Sequence, residues 1–470
     1  MIANTELKTY PSPADPAGAV HENDTADSQL QRATDGVLVH EQSTRDISYD
    51  AMPENIEAVD YHLPQADGGP AAWRFLFAAF MVEAFQWGFA LSYGVFQNYY
   101  SVNEPFQGNR NIPVIGTLAT GMFYLGSPVM TPLIRRWPQW QRQMVWLGWA
   151  MTILSLVAAS FANSVRLLIA SQGVTYSIGV TIMFFPIVSM LNEWFVIKRG
   201  LAFGIMCAAT GLSGTVMPFV LAALLEKYGY ATTLRAFAVV LAVFTGPCLP
   251  LIKGRLPASH SSIDRKTDLS FFNRPLFYFF AISVLFQGLG FFYPLLYLPS
   301  YANSLGYSPS IGALLLALVS LAQVVGQIGS GWLSDKRVSV QTLAFILPCL
   351  SCVATMTLWG LGRSLAPLVV FSLIYGVFGG GYVVLWAKMG QELGDDPTIG
   401  LVTFGIFAFL KGVGNVITGP ISAKLLLPNT SVGKYGLEKY EWIVSYCGIS
   451  MFACAMVMVV LCIYGYLRKG

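Results

Sequence analysis

Charged side chains are scarce in this chain. They make up 11% of its 470 residues, against roughly 25% in soluble domains, while hydrophobic residues reach 54%. A globule in water cannot hide that much apolar surface, so lipid must be the solvent for most of the polypeptide. Histidine is scarcer still: His21, His40, His62 and His260 are the only four, and none lies in an apolar stretch. That excludes a histidine-held zinc site or a histidine proton relay within the membrane. The seven cysteines lie within or beside apolar stretches. Cys349 and Cys352 form the one C-x-x-C, with no second pair or histidine beside it, and read as small packing residues. No G-x-x-x-x-G-K-[ST] loop occurs, which argues against a built-in ATPase. No basic start leads into an apolar run, so there is no secretory signal peptide, and the first membrane helix must itself direct insertion.

What the chain does have is apolar length. Twelve stretches, at roughly 73–98, 112–134, 143–162, 166–191, 200–225, 235–252, 275–300, 310–333, 341–361, 366–386, 399–426 and 442–466, are each long enough to cross a bilayer as a helix. The expected fold class is an all-α membrane protein of twelve transmembrane helices in two six-helix halves. Residues 1–70 hold thirteen Asp or Glu against Lys8, Arg32 and Arg45 and read as a disordered acidic tail. Residues 71–252 form the first half, 253–274 a basic central loop, and 275–470 the second half.

Placing the amino terminus inside puts sixteen basic residues on the inner segments and eight on the outer ones. The positive-inside rule then favours both termini in the cytoplasm. Asn429-Thr430-Ser431 is a glycosylation sequon in the last outer loop. The plasma membrane is the expected location, with a vacuolar or other internal membrane as the alternative.

Three motifs carry a family resemblance. Gly331-Trp332-Leu333-Ser334-Asp335-Lys336-Arg337 resembles the G-x-L-x-D-[KR]-[KR] signature of the major facilitator superfamily. There the glycine lets helices approach, and the acid and basic pair form a charge network at the cytoplasmic gate. The corresponding place in the first half, Ile134-Arg135-Arg136, lacks the acid. Asp67-Gly68-Gly69-Pro70-Ala71-Ala72-Trp73 resembles the acidic-Gly-Gly-x-x-Trp opening of the monocarboxylate porter family, with one residue inserted. Trp194-Phe195-Val196-Ile197-Lys198-Arg199-Gly200-Leu201-Ala202-Phe203-Gly204 is similar to that family's second signature, and Gly379 through Ser422 looks like its fungal branch. The resemblance implies two halves that rock about a central site and cargo that is a small organic acid or related metabolite, often with a proton. It also implies gating roles for Asp335, Lys336, Arg337, Lys198 and Arg199. Lactate carriers of the family use a first-helix lysine and an eighth-helix Asp–Arg pair. In register, this chain has Leu91, Gln323 and Gln327 there. The lactate–proton mechanism therefore does not transfer.

In their place stand two charges deep in the spans. Glu83 and Lys411 each sit ~15–17 Å into helices that enter from the same side. A charge at that depth costs about 2.5–3.5 kcal/mol on insertion scales, so it normally faces protein or a wet cavity. Glu83 is the candidate proton carrier and Lys411 the candidate anion site; the alternative is a structural ion pair, or separate hydrogen bonds between helices. Helical spacing extends each into a polar stripe: Gln86 and Trp87 with Glu83, and Asn415 with Lys411. Gln323 and Gln327 line up in the eighth span, Tyr382 and Trp386 in the tenth. Amides and rings among glycines suit a large, partly apolar ligand, although small and polar residues also join membrane helices.

The expected partners are a small-molecule substrate (an organic acid or metabolite), the bilayer and a proton, with no cofactor, metal or nucleic acid. Efflux of a metabolite is favoured over uptake of a small monocarboxylate. A non-transporting nutrient sensor with a carrier fold is the alternative of another class. An enzyme would need converging His, Asp or Cys groups in the spans.

Overall fold

Helices carry nearly all of the chain that the computed structural model describes, namely residues 64–109, 111–256, 269–336, 338–394, 397–426, 435–437 and 439–467; no strand occurs among them. Most of the acidic tail, most of the central loop, all four histidines, Arg337 and the sequon at Asn429 lie outside the described residues. The chain divides into two units, Met1–His62 and Leu63–Gly470, and everything described belongs to the second.

Judged by length and hydropathy alone, ten helices qualify as spans, or eleven when Ile112–Leu125 and Ser127–Arg136, bent by 42°, are taken together. One more is concealed in Arg199–Leu251, a run of 53 residues. A straight helix of that length would extend ~80 Å, against a hydrocarbon core of about 30 Å. Gly229 breaks it, at φ 73° and ψ 173°, in a region that glycine enters without steric cost. The fifth and sixth spans are therefore Arg199 to Gly229 and Gly229 to Leu251. The first span, Gly69–Val102, is interrupted at Ser92 between Gly69–Leu91 and Tyr93–Val102. The seventh to tenth are Pro275–Ser304, Pro309–Ser334, Val340–Trp359 and Leu365–Glu392, the last running six residues beyond the expected 386. Pro397–Leu425 and Glu441–Leu467 complete the bundle.

Small residues set how the two sets of six helices meet. On the fifth span Gly200, Gly204, Gly211 and Gly214 face the eighth so closely that a Cβ on Gly211 would lie 2.6 Å from the Ser320 carbonyl oxygen. A Cβ on Gly204 would lie 2.5 Å from that of Gln327. In lipid no hydrophobic force drives helices together, so association depends on close packing of this kind. The second and eleventh spans form the other seam, where Ser127 Oγ donates to the Gly405 carbonyl at 2.7 Å and Gly412 faces Tyr124. Where the packing is this close, Gly211→Val should lower the melting temperature of the purified protein, by an overpacking cost of about 1–3 kcal/mol. The same substitution at Gly94, where a Cβ meets open space, should change it little.

Candidate functional site

Between the two seams lies a cavity lined by residues of both sets of helices. Nine aromatic side chains stand in its walls: Trp87, Phe123, Tyr124, Phe184 and Phe203 from spans one to five, and Phe291, Phe292, Trp386 and Phe404 from spans seven to eleven. Glu83, Lys411, Gln323, Gln327, Thr210 and Ser320 supply the polar groups.

Lys411 is held there by backbone contact. Gly288 of the seventh span abuts the Lys411 backbone, and Gly414, one turn on, presses against Gly288 and Leu289. This brings the side chain, only 3% exposed, over three rings. Its Nζ lies 4.0 Å from the centre of Phe291, 5.6 Å from Trp386 and 5.7 Å from Phe292. All are within the reach of a cation–π attraction, worth about 2 kcal/mol when desolvated. Lys411 makes no ion pair or hydrogen bond among the described residues.

Glu83, 4% exposed, stands on the opposite wall. The first span is fixed against the fifth by Gly88, which packs on Met217 and Ser213, and by the hydrogen bond from Ser213 Oγ to the Ala84 carbonyl. Trp87 follows one turn later, edge-on to Phe123 at 5.0 Å. Its Nε1 lies close to the Glu83 carboxyl but outside hydrogen-bond geometry. The structure thus brings Glu83 and Lys411 to one cavity without pairing them, so the ion-pair alternative does not hold in this conformation.

Three residues of the lining carry polar atoms that are buried without a hydrogen-bond partner: Trp87 Nε1, Trp386 Nε1 and Gln327 Oε1. A native interior rarely leaves such groups unpaired. Gln323 Nε2 reaches Thr210 Oγ1 across the seam at 3.4 Å. Three expected residues are not among the lining. Gln86 is buried behind the wall with its amide unpaired. Tyr382 bonds Ser283 at 2.6 Å within the second half, and Asn415 is half-buried elsewhere on its helix. Conversely, Phe291, Phe292 and Phe404 were not singled out from the sequence. Aromatic residues in a span read as packing until neighbouring helices are placed in register.

One end of the cavity is sealed. Phe404 contacts Phe203 at 5.2 Å and Trp386 at 5.6 Å. Beyond this plug, Asp335 accepts from the backbone N–H groups of Gly200 (3.0 Å) and Leu201 (2.6 Å) and pairs with Lys388 at 2.7 Å. The carboxylate thus sits at the N-terminus of the fifth span, where free N–H groups and the helix dipole favour a negative charge. Lys388 is its ion-pair partner among the described residues. Lys336 lies over the Trp332 ring, 5.3 Å from its centre. Arg199 turns back to the Phe195 and Asn192 carbonyls at 3.2 and 3.3 Å, and the Lys198 side chain is exposed.

The sequence profile of the Major Facilitator Superfamily matches residues 75–419. Among curated relatives, the MFS-type transporter pynF of Aspergillus niger is 26% identical over 423 residues, spanning 88% of this chain and 93% of that protein. The agnestins efflux protein AgnL12 of Paecilomyces divaricatus is 26% identical, over 82% and 87% of the two chains. The aspyridones efflux protein apdF of Emericella nidulans is 26% identical, over 77% and 73%. Among solved structures, the human organic anion transporter MFSD10 (TETRAN) shares the fold at a TM-score of 0.60 and 14% identity, over 83% of this chain and all of that one.

A buried ammonium without an acid beside it destabilises the fold that holds it. Lys411→Met keeps the side chain's length and removes the charge, so the purified protein should become more stable by about 1 kcal/mol or more. A lower melting temperature would instead mark Lys411 as a structural partner.

Proposed function

The chain belongs to the Major Facilitator Superfamily, and on that premise we propose that it is a secondary transporter exporting an acidic metabolite by alternating access. The observation that carries this reading is the Lys411 ammonium, buried over three rings with no acid partner among the described residues. An anionic oxygen entering the cavity meets Lys411 and the Trp386 indole N–H, while the aromatic walls cover the rest of the molecule. Nine aromatic side chains in the lining favour a larger, partly apolar cargo over uptake of a small monocarboxylate. Relatives that carry the names of efflux proteins for agnestins and aspyridones support the outward direction. The two signatures around Asp67 and Trp194 favour the monocarboxylate porter branch. Leu91, Gln323 and Gln327 then mark a member whose cargo site has moved to Lys411.

Glu83 lines the same cavity and is the group that takes up the proton. Its protonation removes the negative charge facing the site and so favours binding of the anion, which couples proton and cargo through one volume. In the state described, Asp335, Lys388 and the Phe404 plug close one end. The halves must separate there before the cavity can face the opposite side. By the distribution of basic residues this end is cytoplasmic, both termini lie with it, and the plasma membrane is the proposed location.

Metabolite profiling of a deletion strain tests the direction: an acidic metabolite should accumulate inside the cells and fall in the medium. Normal export with failed uptake of a supplied acid would favour the uptake carrier. In vesicles, Glu83→Gln should keep counterflow exchange while losing pH-driven accumulation; unchanged accumulation would remove Glu83 from the mechanism.

A further inference from the structure

The segment between the fourth and fifth spans, Phe195 to Lys198, is where the two halves clasp, and its shape is imposed from an unexpected place. The Phe195 N–H still donates to the Leu191 carbonyl at 3.0 Å, but Val196 and Lys198 lie outside a helix and their N–H groups have no local partners. One oxygen of Asp67, Oδ1, accepts from Val196 N at 2.9 Å and from Lys198 N at 2.7 Å. The Asp67 backbone N–H closes the arrangement by donating to the Trp194 carbonyl at 2.9 Å. So held, the segment turns its carbonyls to the other half. Val196 O accepts from Gln391 Nε2 at 3.0 Å and Ile197 O from Lys388 Nζ at 3.2 Å. Two residues on, the start of the fifth span meets Asp335.

We propose that Asp67 is a positioning residue of the gate, presetting the Phe195–Lys198 segment in the form that Lys388 and Gln391 recognise. Three further observations agree. Asp67 adopts φ 58°, a left-handed conformation that Asp and Asn tolerate better than other side chains. Gly69 follows at φ 78° with open space where a Cβ would stand, so glycine serves the backbone turn there and not packing. Trp73 meets Phe195 edge-on at 6.0 Å, and Phe75 stacks on Trp194 at 6.3 Å. The acidic-Gly-Gly…Trp stretch and the Trp194-Phe195…Arg199 stretch, 127 residues apart from Asp67 to Trp194, are therefore one structural unit. One side orders the clasp and the other half grips it. A charged acceptor shared by two N–H groups is stronger than a neutral one, which accounts for an acid at this position.

This inference rests on the alternating-access reading, and its test needs no substrate. Cys207 is a free, buried thiol on the cavity wall. An impermeant thiol reagent, applied separately to each face of sealed vesicles and read by peptide mapping at Cys207, reports which end is open. Asp67→Ala should raise labelling from the Asp335 face by at least about fivefold, the lower end of typical coupling between sites, and lower it from the other face. Gln391→Ala should shift it the same way. Because both act through one segment, the double variant should exceed neither single variant appreciably. Unchanged labelling in Asp67→Ala, beside raised labelling in Gln391→Ala, would overturn the role of Asp67. Equal increases from both faces would do so too, since that marks a loosened fold. If Cys207 never labels from the Asp335 face in any variant, alternating access itself fails and the proposal falls with it. A wrong cargo or direction would leave every result as stated.

Discussion

An ammonium with no carboxylate beside it, held over aromatic rings in the middle of a bundle solvated by lipid, is the arrangement on which the rest of the structure depends. Lipid offers that charge no hydration, so only protein or a wet cavity can hold it. The rings of Phe291, Phe292 and Trp386 recover about 2 kcal/mol of a cost of that order or larger. The remainder is left for a ligand to offset. That balance holds only while the eleventh span stays tight on the seventh, which is what Gly288 and Gly414 permit.

The same chemistry, turned around, governs the sealed end. There the charge is negative and fully served, since Asp335 has two backbone N–H groups and the Lys388 ammonium. A well-satisfied charge at the clasp and an unsatisfied one in the cavity give the molecule two places where free energy can change as the halves move. On the proposed reading, cargo gains at the centre and the clasp is lost at the end, so one can be exchanged for the other. The gate is asymmetric as well. Its acid comes from the second half, and the first half contributes a helix start and an ordered segment instead of a matching carboxylate.

Much of this architecture was legible before any coordinates. Apolar length marked each of the ten or eleven helices that qualify as spans, because the bilayer sets a minimum that the sequence must meet. What the pattern could not show was that the fifth and sixth spans run into each other, since Gly229 turns the chain within two residues. Helical spacing picked out Trp87 beside Glu83, Gln323 and Gln327 on the eighth span and Trp386 on the tenth, and all four line the cavity. It erred at Gln86, Tyr382 and Asn415, because a stripe defines one face of one helix while a cavity is made by several. The aromatic wall was invisible for the same reason. The partner of Asp335 escaped notice because Lys388 lies on the tenth span, 53 residues beyond the acid.

The most direct test of the central claim compares an aromatic carboxylic acid with its isosteric amide, by equilibrium binding to the purified protein. The account predicts that the acid binds at least about tenfold more tightly, as one charge-assisted contact of roughly 1.5–3 kcal/mol requires. It predicts also that Lys411→Gln abolishes the difference while leaving the amide's affinity nearly unchanged. Equal affinities for acid and amide, or a preference that survives Lys411→Gln, would contradict it.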